Sequence, residues 1–172
     1  QQKDVGMVGA KLYYPDDTIQ HAGVVVGLGG VAAHVLCKLP RDAEGYMGRL
    51  RCVQEISAVT AACMMVKTSV FKAVGGFDEE LKVAFNDIDL CMKVRKYGVK
   101  IVFTPYAELY HYESKSRGME DTPEKQLRFS REVNCFRRKW ERELLKGDPY
   151  YNPNLTLNNT DCSLRKQEKN GD

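Results

Sequence analysis

The densest chemistry of the chain lies in the run Gly75-Gly76-Phe77-Asp78-Glu79-Glu80-Leu81-Lys82-Val83-Ala84-Phe85-Asn86-Asp87-Ile88-Asp89-Leu90-Cys91. Acidic side chains stand along a glycine-marked loop, just before apolar residues begin to recur at helical spacing, with Ile88, Cys91 and Met92 on one stripe. A carboxylate at such a loop-to-helix junction can take a proton from a reacting hydroxyl. The start of a helix is also a place where negative charge is favoured. Asp87 is the residue so placed. Taken alone, Asn86 and Asp87 read first as helix caps, and Asp87-Ile88-Asp89 has a spacing that suits two oxygen ligands on a divalent ion.

His111 forms a second centre of interest. It follows the strand-like Ala107-Glu108-Leu109-Tyr110 and precedes Tyr112-Glu113-Ser114. An imidazole at the end of a strand can ligate a metal, although a lone histidine is as readily structural. Between Asp87 and His111 there is room for one helix and two short strands, which would bring both to one edge of a sheet. Ser114, Lys115 and Arg117 follow directly, and their hydroxyl and cations can bind phosphate oxygens once the loop closes, a solvated loop being the plainer reading. His21, in Ile19-Gln20-His21-Ala22-Gly23, suggests no chemistry of its own and is read as structural.

The elements that must hold these groups are those of an α/β chain. Val5 to Tyr14 reads as a strand, Pro15-Asp16-Asp17 as a turn, and Thr18 to Val26 as a second strand. Leu39 to Gly48 is polar and turn-rich, and is expected to form a mobile rim. Two further strand segments are expected between Arg51 and Lys67, with the nearly all-apolar Val59 to Val66 central in the sheet. A short helix capped by Thr68 or Ser69 should end at Gly75-Gly76. Asn86 or Asp87 should open a second helix that Gly98 stops, and Lys100 to Thr104 is a strand that Pro105 turns, with Ala107 to Tyr112 continuing extended. Phe129, Val133, Phe136, Trp140 and Leu144 mark one stripe of a long helix from about Thr122 to Lys146. The tail from Tyr150 onward is polar and turn-rich.

The chain of 172 residues has a formal net charge of +3 and no apolar run near the roughly 18 residues a membrane span needs. That charge gives no ground for nucleic acid as a partner. Six cysteines without a Cys-x-x-Cys pair are expected to be reduced thiols, which points to the cytoplasm. The cations of the long helix, among them Lys125, Arg128, Arg131 and Arg138, outnumber its acids, a composition that suits peripheral contact with the inner face of a membrane. A solvated outer face is the simpler account. Gln1 in place of a methionine suggests a piece of something longer.

The run from Gly75 to Cys91 resembles the acceptor-side signature of family 2 glycosyltransferases, in which a Gly-Gly-Phe-Asp-Glu loop leads to a Glu-Asp or Asn-Asp pair with a catalytic aspartate. The likeness extends from Val5-Gly6-Met7-Val8-Gly9-Ala10-Lys11-Leu12 through Thr104-Pro105-Tyr106-Ala107-Glu108-Leu109-Tyr110-His111, and to Asp148-Pro149-Tyr150-Tyr151-Asn152-Pro153-Asn154. It implies the second half of a GT-A domain, a mixed sheet flanked by helices with a long amphipathic C-terminal helix. Residues 1–120 would be the acceptor-side half, 121–147 the helix packed on it, and 148–172 an extended polar tail. Asp87 would be the base of an inverting transfer from a nucleoside diphosphate sugar to a glycan or glycolipid acceptor. His111 would complete a site for Mn or Mg shared with an absent N-terminal half. Asp78, Glu79, Asn86 and Asp89 would bind the acceptor, and Ser114, Lys115 and Arg117 the diphosphate. The metal-binding Asp-x-Asp of that family lies earlier, at the end of a strand, which argues against Asp87-Ile88-Asp89 as its counterpart. No such strand precedes Val5, so the fragment alone should be inactive. The alternatives from other classes are a carbohydrate-binding or scaffolding module, and a metal-dependent hydrolase built on Asp87, Asp89 and His111.

Overall fold

Alternation of small and apolar residues at the start of the chain does produce the organising strand, β1 (Val5–Tyr13). The computed structural model describes residues 2–112 and 122–166. On one side β1 pairs in parallel with β7 (Lys100–Tyr110), from Val5 opposite Lys100 to Tyr13 opposite Tyr110. On its other side lie two short antiparallel strands, β2 (Ile19–His21) at one end and β6 (Met64–Val66) at the other. β5 (Gln54–Glu55) pairs antiparallel with β7 and completes a five-stranded mixed sheet. Gly23, at a φ of 104°, separates β2 from β3 (Val24–Val26), which forms a two-stranded antiparallel sheet with β4 (Ala32–His34).

Helices flank the sheet. α1 (Thr68–Ala73) ends at Gly75 and Gly76, both in the left-handed region, as expected. α2 (Asn86–Lys96) lays Ile88, Leu90, Cys91, Met92 and Val94 into the core beside Met7, Ile101 and Phe103. α3 (Pro123–Lys139) is capped by Thr122, whose hydroxyl accepts from the Lys125 amide, and α4 (Glu141–Lys146) follows it.

Three expectations need correction. Val59 to Val66 is not a central strand. Only Met64–Val66 pairs, at the edge of β1, because Thr60 caps a 3-10 turn over Ala61–Cys63. Val59 is fully buried, but against the face of β1 rather than in its ladder. A Cβ on Gly9 would fall 2.3 Å from Val59 Cγ1, so the bare glycine is what lets the two backbones approach. At Pro105 the expected turn is a bulge within one strand: β7 runs on through the extended Ala107 to Tyr110, and the register jumps from Ala10 opposite Thr104 to Lys11 opposite Glu108. The residues between bulge out, which accommodates a proline that has no N–H to give the ladder. The single long helix is two, broken at Trp140, whose backbone (φ −114°, ψ 23°) leaves the helical range while its side chain is buried. The interior ties this region down further. Glu132, itself buried, accepts from the amides of Val83 and Ala84 at 3.0 Å each, and so fixes α3 to the loop that precedes α2.

Candidate active site

α2 starts from strained backbone. The residue before it, Phe85, sits at φ 63°, a left-handed conformation that costs a bulky side chain on the order of 1–3 kcal/mol. Its ring packs against Phe129 and Phe136 of α3, with centroids 5.8 and 5.4 Å away, which holds the bend. Neither Asn86 nor Asp87 is the cap, contrary to the alternative reading: Asp87 lies inside the first turn, half-buried. One of its carboxylate oxygens, Oδ1, accepts from the amide of Ile88 at 2.9 Å, and Oδ2 accepts from the amide of Ala61 at 3.1 Å. Each oxygen keeps a second lone pair, so the group is oriented by the backbone and still able to take a proton.

The segment that meets Asp87 is held on all sides. Val59 N–H reaches Cys91 Sγ at 3.4 Å, and the Cys91 thiol returns to Val59 O at 3.5 Å. Burial pushes that thiol up to about 12, so it stays a neutral donor. Thr60 N–H donates to His21 Nε2 at 3.4 Å, and Ala62 N–H to Thr60 Oγ1 at 3.3 Å. Thr60 also lines a cleft of about 300 Å³ with Tyr14, Gln20, His34, Cys37 and His111. Thr60, next to the Ala61 amide that meets Asp87, and His111 thus line one cleft, while Asp87 itself does not line it.

His111 is half-buried at the end of β7 and is clamped by Gln20. His111 N–H donates to Tyr13 O at 3.0 Å, and the Gln20 amide nitrogen donates to His111 O at 3.3 Å. Nδ1 of His111 donates to Gln20 Oε1 at 2.9 Å, which leaves the lone pair on Nε2. A carbonyl on the remote nitrogen is how a metal-ligating imidazole is usually oriented, so this residue fits a cation ligand. Among the described residues no three His, Cys, Asp or Glu side chains converge to hold a cation, and Asp87, Asp89 and His111 form no such group.

The residues expected to contact an acceptor divide. Glu79 is exposed and Asn86 half-buried, both near the Asp87 turn in sequence. Asp78 turns inward: it accepts from the Glu80 amide at 3.0 Å and pairs with Lys139 of α3, which together hold its carboxyl below the usual range. Asp89 is corrected outright as an acceptor contact. It is fully buried, accepting from Trp140 Nε1 at 2.9 Å and paired with Lys139 at 2.8 Å and Lys93 at 2.9 Å. A side chain so enclosed fastens α3 to α2 and cannot reach a ligand. Ser114, Lys115 and Arg117 lie outside the described residues.

Several contributors escaped the sequence. Gln20 and Ala61 act through an amide and a backbone N–H, which no residue pattern marks. The polar loop after β4 was expected to be mobile, yet Arg41 anchors it, reaching Glu108 at 2.6 Å and Asp17 at 3.3 Å, while Glu108 accepts from Tyr13 at 2.7 Å. Of the basic helix, Lys139 is engaged by Asp78 and Asp89, Arg128 approaches Glu132 at 3.7 Å, and Arg137 donates to Gly30 O at 3.2 Å. All six cysteines are free thiols. No described helix is long and apolar enough to cross a membrane.

Comparison with known proteins agrees with the resemblance carried by the sequence. The chain is 59% identical over 165 residues, 95% of its length, to an uncharacterized protein of Sinorhizobium fredii, and covers 18% of that relative. Across its whole length, in a match of 173 positions, it is 39% identical to the O-antigen biosynthesis protein RfbC of Myxococcus xanthus, covering 13% of it. Over 62 residues, 36% of the chain and 20% of the relative, it is 36% identical to the N-acetylglucosaminyl-diphospho-decaprenol L-rhamnosyltransferase of Mycobacterium tuberculosis. The chain therefore spans a fifth or less of each relative's own length. No family model and no solved structure matches it.

Proposed function

We propose that this chain, a relative of an O-antigen biosynthesis protein and of a rhamnosyltransferase, is the acceptor-side half of a family 2 glycosyltransferase domain of the GT-A type. The parent enzyme transfers a sugar from a nucleoside diphosphate donor to a saccharide or lipid-linked acceptor, with inversion. The observation that carries this reading is the Asp87 carboxylate, half-buried in the first turn of α2 with each oxygen held by a backbone N–H. In the transfer, Asp87 takes the proton of the acceptor hydroxyl as its oxygen attacks the anomeric carbon, and the diphosphate leaves from the opposite face. Asp87 is set by the Ala61 turn, so the proton acceptor needs no rearrangement at the moment of reaction.

Glu79 and Asn86 are the remaining candidates for hydrogen bonds to acceptor hydroxyls. A divalent ion, Mn or Mg, held at His111 Nε2 with ligands from outside this chain, would supply positive charge at the diphosphate. Ser114, Lys115 and Arg117 are proposed to bind the same diphosphate. The partial identity to a relative named as an N-acetylglucosaminyl-diphospho-decaprenol L-rhamnosyltransferase favours a lipid-linked acceptor. On α3, exposed Leu127, Arg131 and Arg138 share one face, a composition that supports contact with the anionic, cytoplasmic surface of the membrane that would carry it.

The test is donor turnover by the full-length parent across a panel of nucleoside diphosphate sugars with Mn²⁺ or Mg²⁺. The reading expects hydrolysis or transfer with at least one donor and none by residues 1–172 alone. Glycan binding by the parent without turnover of any donor would replace it with a binding module.

A further inference from the structure

His21 is the one motif residue left without chemistry, and its surroundings supply some. It is fully buried, and both ring nitrogens are engaged: Nδ1 lies 3.1 Å from His34 Nδ1, with the rings edge to face at 4.8 Å, and Nε2 faces the amide of Thr60 at 3.4 Å. A backbone N–H can only donate, so the Thr60 contact calls for a lone pair on Nε2 and the ring proton of the neutral imidazole on Nδ1, facing His34 Nδ1 as acceptor; His34 Nδ1 also lies 3.1 Å from Gln20 O, where it would have to donate, so its two contacts call for opposite tautomers. Burial, with His34 nearby, holds His21 well below the usual imidazole range, so the ring is neutral as this arrangement requires.

Three consecutive amides of the turn then end on side-chain acceptors: Thr60 on His21, Ala61 on Asp87, Ala62 on Thr60 itself. The Thr60 N–H belongs to the peptide before the Thr60–Ala61 peptide and the Ala62 N–H to the peptide after it, so holding both restricts the backbone rotations that turn the plane between them. That plane decides whether the Ala61 N–H points at Asp87.

We propose that His21 is a positioning residue for Asp87: accepting from the Thr60 amide through Nε2, as the Nδ1–H tautomer, it aims the Ala61 amide at the Asp87 carboxylate and so sets the orientation of the base. The catalytic consequence rests on the glycosyltransferase reading; the geometric one does not.

The experiment has two parts. In the chain itself, ¹⁵N imidazole spectra should show His21 protonated at Nδ1 and not at Nε2. In His21→Leu the Ala61 amide should exchange with solvent at least tenfold faster, while the Val66 amide of β6 keeps its rate. His21→Gln, which returns an acceptor near the Nε2 position, should restore most of the protection. In the full-length parent, His21→Leu should lower kcat about tenfold or more with the donor KM unchanged, and His21→Gln should recover part of the loss. An Nε2–H tautomer, or wild-type exchange at Ala61 in His21→Leu, overturns the proposal. So does an equal loss in the Leu and Gln variants. If the tautomer and exchange results hold while the parent transfers no sugar, the positioning role stands and the glycosyltransferase reading falls.

Discussion

Two aspartates one residue apart have opposite fates. Asp87 remains half-buried with a lone pair to spare on each oxygen, whereas Asp89 is fully enclosed by Trp140, Lys139 and Lys93. Helical geometry explains the difference, since residues two apart on a helix project about 200° from each other. Asp89→Asn keeps the shape but removes the charge that two lysines share. It should cost about 3 kcal/mol, the lower end for a buried ion pair losing one partner because both lysines can return to water, as read by urea unfolding of the chain. The same substitution should leave the Asp87 turn in place. The loop-to-helix position of Asp87 was legible in the sequence because glycines, acids and a helical apolar stripe mark it together. The enclosure of Asp89 was not, because its partners Lys139 and Trp140 are some fifty residues away and belong to a different helix.

At the level of elements, the site depends on how α3 grips the loop before α2. Glu132 supplies the grip, with one carboxylate oxygen on the Val83 amide and the other on the Ala84 amide. Glu132→Gln leaves only one acceptor for two donors, and a buried amide left unpaired costs roughly 1–3 kcal/mol. Hydrogen exchange should show the loss locally: one of Val83 and Ala84 exchanges faster, while amides inside β1 are unchanged. Alternation, capping and punctuation revealed β1, α2 and the ends of α1 and α2, all of which are decided by neighbours in sequence. The run Val59 to Val66 misled because continuous apolar residues fit a buried strap as well as a central strand. What decides between them is Gly9, whose missing side chain admits Val59 from across the sheet. The break at Trp140 was equally invisible, for the stripe of apolar residues runs through it, and only the buried indole bond to Asp89 distinguishes the two sides.

For the molecule as a whole, stability should depend on pH in a predictable direction. His21 is held neutral below its ordinary value of 6.5, chiefly by burial, so the unfolded chain binds more protons than the folded one as the pH falls through 6.5. Its contribution is therefore complete above about 6.5 and is lost progressively below it. Asp78, lowered first by its bond to Lys139, adds to the loss as pH falls below its ordinary 3.8. At the other end Lys139 is raised above 10.5, its bonds to Asp78 and Asp89 outweighing the opposing effect of burial, and its contribution disappears as pH rises through that raised value. Thermal unfolding followed from pH 4 to 9 should show a plateau above about 6.5 and a fall below it, and His21→Gln should flatten the part of the fall nearest 6.5. The mixed α/β architecture was readable because strand and helix periods alternate along the chain, which spans 18% and 13% of two longer relatives. The central claim is that Asp87 is the base of a sugar transfer, and one comparison tests it most directly: single-turnover transfer by the full-length parent, wild type beside Asp87→Asn, at saturating donor and acceptor. The account predicts that the variant keeps its fold and its donor affinity while its rate falls on the order of 10²-fold or more, the usual loss for a general base. A variant that folds and transfers at the wild-type rate would contradict it.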